Sequence, residues 1–95
     1  MSQNFFQMYR KRGFSLTLEI LRNFKKKEAK EPDFFQALKD NNSYLNEFYR
    51  SKDDLLNNKL IAYKLNADYE KVICITEKGL TVLEKLEQIN GLLSE

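Results

Sequence analysis

Apolar residues recur at helical spacing along most of this chain and change to a strand-like pattern only near its middle. From Ser15 to Lys27, Leu18, Leu21 and Phe24 lie on one stripe that Leu16 and Ile20 broaden, so a helix capped by Ser15 and buried on more than one side is expected. Lys25 to Glu31 reads as a charged connector. It ends at Pro32, where a helix can restart because the missing N–H costs nothing in a first turn, and a short helix over Pro32–Asp40 follows, with Phe34, Phe35 and Leu38 as its contacts. Asp40-Asn41-Asn42-Ser43 is turn chemistry, and Asn42, Ser43 or Asn46 can cap the next helix, which runs to about Asn58. On a wheel of about 100° per residue, Phe48, Leu55, Tyr44, Leu45 and Leu56 share one side of that helix, with Asn46, Arg50, Asp53 and Asn57 opposite. Lys52 falls on the apolar side, where it either snorkels or marks an error of register.

The period then changes. Ile61–Asn66 and Lys71–Ile75 are rich in β-branched and aromatic residues around a polar Asn66–Glu70 loop, which predicts a hairpin. In its second strand Ile73 and Ile75 share one face and Val72 and Cys74 the other, which makes Cys74 a small buried filler. Thr76 caps a last helix. In it Leu80 and Leu83 lie on one side, while Val82, Leu86, Ile89 and Leu93 recur at the spacing of a seam against a partner helix, or of one broad face in a monomer. At the other end, Phe5, Phe6, Met8 and Tyr9 place large apolar groups before Arg10-Lys11-Arg12, and they pack either on the chain's own core or on a second copy.

Ninety-five residues, 42% hydrophobic and 13% aromatic, make one ordered domain: an extension over 1–13, a body over 14–75 and a terminal helix over 76–95. The net charge of +2 conceals an uneven distribution. Residues 1–30 carry eight Lys/Arg against two Glu, whereas the other two thirds are each slightly acidic. The basic side suits a polyanion, although Lys25, Lys26 and Lys27 also suit a solvated helix end. With no His, a single Cys and glycine only at 13, 79 and 91, the residue types for His-based catalysis, most zinc sites and phosphate-cradling loops are missing. No enzyme activity, metal or cofactor is expected, and a cytoplasmic protein outside the membrane is.

The order helix, helix, turn, helix, hairpin, helix brings in the resemblance that gives the pattern a function. FYRSKDDLLNNKLI at 48–61 resembles the winged helix-turn-helix regulators of PadR type. ICITEKGLTVLEKL at 73–86 resembles the strand-to-helix junction that closes the wing in PadR-like and MarR-like families, and both strings are similar to small regulators of crenarchaeal spindle-shaped viruses. Two positions depart from the pattern: Lys59 stands where a small Gly is usual, and Lys52 where leucine is. The resemblance implies a winged helix-turn-helix, mainly α with a small hairpin, acting as a homodimer on double-stranded DNA. Asn46, Tyr49 and Arg50 would then face base edges, with Asn42, Ser43 and Tyr44 near phosphates. Glu47 either accepts from cytosine or is solvated, and the wing offers Lys64, Asn66 and Lys71 against Asp68 and Glu70. The basic clusters at 10–12 and 22–30 would add attraction independent of sequence. Phe5, Phe6, Tyr9, Val82, Leu86, Ile89 and Leu93 are the expected dimer interface. A protein-interaction module and a non-specific architectural DNA protein are the alternatives.

Overall fold

The computed structural model describes residues 5–94, apart from the side chain of Phe6, whose expected interface role lies outside the described residues. Its elements are α1 (Phe5–Tyr9), α2 (Arg12–Asn23), a 3-10 turn (Lys25–Lys27), β1 (Glu28–Lys30), α3 (Glu31–Asp40), α4 (Leu45–Asn57), β2 (Ile61–Leu65), β3 (Lys71–Ile75) and α5 (Glu77–Leu93). The fold is mainly helical with a small antiparallel sheet, as expected. The supposed connector at 25–31 is different: it contains β1, which pairs with β3 and makes β3 the centre of the order β1-β3-β2. Glu-Ala-Lys has little strand preference of its own, and the strand exists because β3, far along the chain, presents an edge to it.

At the centre lies α2, with Phe14, Leu18 and Leu21 at most 1% exposed and neighbours on α3, α4, α5 and the sheet. It begins at Arg12, a turn's width before the expected Ser15, because Gly13 and Phe14 are already buried. A Cβ on Gly13 would lie 2.3 Å from the Glu47 carbonyl oxygen, so α2 crosses the start of α4 almost backbone to backbone. One turn further on, Thr17 and Ser51 are fully buried, and among the described residues their hydroxyls have no hydrogen-bond partner. The apolar N-terminus packs on the chain's own core. Met8 is buried, while Phe5 stacks on Tyr9 at 5.6 Å and meets the edge of Phe14 at 6.4 Å.

Two αL caps place α4. After α3, Asn42 takes φ 60°, with Ser43 N–H donating to Leu38 O (2.9 Å) and Asn42 N–H to Lys39 O (3.0 Å). After α4, Lys59 does the same at φ 60°, with Leu60 N–H on Leu55 O (2.9 Å) and Lys59 N–H on Leu56 O (3.0 Å). Both are Schellman turns, where glycine is favoured, asparagine is tolerated and lysine is strained. Lys59→Gly is therefore expected to stabilise the protein by about 1 kcal/mol. Urea unfolding should show a higher midpoint with unchanged slope; an unmoved midpoint would show that Lys59 carries no strain.

The Thr-Glu-Lys-Gly string works by locking this turn to the last helix. Thr76 N–H donates to Leu60 O (3.0 Å), its Oγ1 donates to Lys59 O (2.6 Å), and the same oxygen accepts from Gly79 N–H (2.9 Å) as the cap of α5. In the sheet, Ala29, Ile61, Ile73 and Ile75 enter the core. Cys74 lies on the other face opposite Ala62 and Glu28 and is half-buried, so the expected buried filler is a partly open thiol.

Candidate nucleic-acid interface

None of the three expected caps serves α4 through its own side chain. Instead Glu47 reaches back from the first turn: its Oε1 accepts from the Tyr44 N–H (2.9 Å) and from the Ser43 hydroxyl (3.0 Å). These two bonds hold the Glu47 carboxyl below the usual carboxylate range, with a smaller contribution from the nearby Arg12 and Arg50 guanidinium groups. Ser43 is buried and Glu47 is committed to the cap, so both organise the helix start. Phe48, Ser51 and Leu55, all 0% exposed, form the buried stripe. Tyr44 and Leu45, expected on that stripe, are 74% and 40% exposed: they are the N-cap and first residue of α4, ahead of Glu47 and Phe48, where the helix meets α2 and α3. Asn46, Arg50, Asp53 and Asn57 form an exposed polar ridge, as the wheel places them.

The ridge has two dissimilar flanks. Toward the wing, the Lys52 ammonium lies 5.5 Å from the centre of the Tyr49 ring and 5.3 Å from that of Tyr63, and Lys71 lies 4.5 Å from Tyr63. Each such contact contributes about 0.5–1 kcal/mol at an exposed site, so the lysine that interrupts the apolar stripe ties α4 to β2. Burial, together with Glu31, pushes the Tyr63 phenol up to about 12; it therefore stays protonated and donates to Glu31 Oε2 (3.4 Å).

Away from the wing, the corner between α1 and α2 is pinned to both helices of the helix-turn-helix. Lys11 Nζ bonds Asp54 (2.8 Å) and the Arg50 carbonyl (3.3 Å), and Arg12 reaches Asn41 O (3.2 Å) and lies 3.8 Å from Glu47. Between corner and helix is a cleft of about 620 Å³ lined by Gln7, Arg10, Lys11, Arg12, Glu47 and Arg50. This juxtaposition joins residues some forty positions apart and has no signal in the sequence beyond the basic run itself.

The wing's charges are largely answered within the protomer. Lys64 pairs with Glu28 (2.9 Å) and Lys30 with Glu70 (2.8 Å), which raises both lysines and lowers Glu70. The Asn66 side chain closes the loop by accepting from the N–H groups of Asp68 and Glu70 at 2.9 Å each. That leaves Lys71, beside Tyr63, as the expected wing cation without an ion pair among the described residues. The Lys25–Lys27 run leads into β1, across the sheet from the β2 edge that α4 adjoins.

Of the expected dimer residues, Leu86 (6% exposed) belongs to the chain's own core and Val82 is half-buried beside it. Tyr9 is half-buried and Phe5 is 38% exposed. The end of α5 stands clear, with Ile89, Leu92 and Leu93 at 48%, 70% and 80% exposure. No helix among the described residues is long and apolar enough to cross a membrane, and they contain no group of three or more His, Cys, Asp or Glu able to hold a metal ion.

No family model and no curated protein matches the sequence. Among solved structures the chain is similar to a PadR family transcriptional regulator from Eggerthella lenta DSM 2243, with a TM-score of 0.62 over 94% of this chain and 79% of that one, at 22% identity. At that identity the likeness establishes a common fold, the PadR type of winged helix.

Proposed function

Starting from a fold shared with a PadR family transcriptional regulator, we propose that this protein is a sequence-specific regulator that binds double-stranded DNA as a homodimer. The observation that carries this reading is the exposed ridge on α4, directly after a helix-turn-helix turn. The first two turns of the ridge enter the major groove, where Arg50 reads guanine, Asn46 reads adenine and Tyr49 packs beside them. Asp53 lies further along and keeps the later turns off the phosphates. Lys71 meets the backbone from the wing, with Lys64 following once its exchange with Glu28 is outcompeted. Asn42, Tyr44 and Asn66 lie at the rim as helix-turn and wing-turn residues. The free end of α5, with Ile89 and Leu93, provides the apolar surface for the second copy, to which Phe5 and Tyr9 add from the N-terminal side.

An acidic protein-interaction face has less to support it than composition suggests, because Asp54 is paired with Lys11 and Glu70 with Lys30. The test is selection of duplexes from a random pool, followed by anisotropy titrations. Arg50→Ala is expected to weaken binding to the selected duplex by about 10- to 100-fold and to relax preference at one base pair. Failure of the wild type to enrich any sequence overturns specificity, and a monomer in sedimentation overturns the dimer.

A further inference from the structure

We infer that the α1–α2 corner is a second DNA-backbone site: Arg10 takes a phosphate in the cleft beside α4, so that the duplex is gripped on both flanks of the reading ridge. The inference rests on the DNA-binding reading above and deepens it.

Four cations line this cleft, and they divide by their engagement. Lys11 and Arg12 are held by Asp54, Glu47 and two backbone carbonyls, so they fix the corner to the ends of α3 and α4. Arg10 lines the cleft, is exposed and among the described residues has no ion-pair partner. Arg50 also lines the cleft and is on the reading ridge. A guanidinium on a corner anchored to the reading helix is set for bidentate phosphate contact with little ordering left to do. By helix geometry the ridge lies between this corner, contacted through Glu47 and Asp54, and the wing, contacted through Tyr49 and Lys52. In the other basic cluster, Lys26 lines a cleft with Lys64 and Asn66 of the wing, away from α4, and Lys30 and Lys64 are paired with carboxylates. Two runs that look alike in sequence therefore have different duties, and only 10–12 borders the reading helix.

The experiment compares wild type, Arg10→Ala, Arg50→Ala and, as a control cation exposed on α5, Lys85→Ala on a selected duplex and a scrambled one, with CD melting to show that each folds. Arg10→Ala should weaken both duplexes by a similar factor and lower the salt slope by about one, so that the loss of affinity between about 50 and 200 mM salt becomes about threefold smaller. Arg50→Ala should instead reduce the ratio between the two duplexes, and Lys85→Ala should leave the slope unchanged. An unchanged slope in Arg10→Ala, or a Lys85→Ala variant that lowers it equally, overturns the corner site while leaving DNA binding standing. A wild type that binds neither duplex overturns both.

Discussion

Gly79→Ala is expected to lower the thermal midpoint by about 15 °C, corresponding to a loss of about 3 kcal/mol for a domain of this size. The added methyl would lie 2.2 Å from the Leu60 carbonyl oxygen and 2.7 Å from Ile75 Cγ1. Ile75 can rotate, but Leu60 cannot retreat easily: its carbonyl accepts from Thr76 N–H in the junction that also caps α5. The substitution therefore drives α5 off the turn that ends α4 and loosens the entry to the wing. The same helix holds an internal control in Gly91, where a Cβ meets nothing within 4 Å. Gly91→Ala should be neutral or stabilising by up to about 1 kcal/mol, since alanine is the better helix former. Scanning calorimetry on both variants decides the matter; equal midpoints would remove the close approach as the reason for glycine at 79.

Phe48→Ala is expected to cost about 4 kcal/mol, the usual range for deleting a fully buried ring. Phe48 is 0% exposed, its ring centre lying 4.9 Å from that of Phe34, 6.2 Å from Phe35 and 5.5 Å from Tyr49. This cluster joins α3 to α4 and sets the angle at which Asn46 and Arg50 face outward, so binding should weaken along with stability. Phe48→Leu keeps most of the volume and should cost much less. Denaturant unfolding measures both; a loss below about 1 kcal/mol in the alanine variant, less than the transfer of the ring alone, would show that Phe48 does not anchor this cluster.

Much of the architecture was readable from local pattern. The polar ridge on α4, the Thr76 cap, the hairpin with its Asn66 loop and the two faces of β3 all follow from spacings within a dozen residues, where helical and strand periods act directly. Readings failed where a partner distant in sequence decided the outcome. β1 exists only because of β3. Leu86, at good spacing for a seam, is absorbed by its own core, and Tyr44 and Leu45 are left in solvent because they precede the residues at which α4 meets α2 and α3. Lys52 was legible as an anomaly and needed the Tyr49 and Tyr63 rings to be explained.

The sequence by itself determined which faces are apolar, where the turns fall and which residue types are present, and with them the fold class and the lack of residues for His-based catalysis. Only the tertiary structure decided which charges are spent on each other, that Arg10–Arg12 borders α4 while Lys25–Lys27 does not, and that Gly13 and Gly79 are points of backbone contact. The physical reason is one of range. Periodicity and capping act over a few residues along the chain, whereas ion pairing and steric closeness depend on distances between elements that the chain order leaves open.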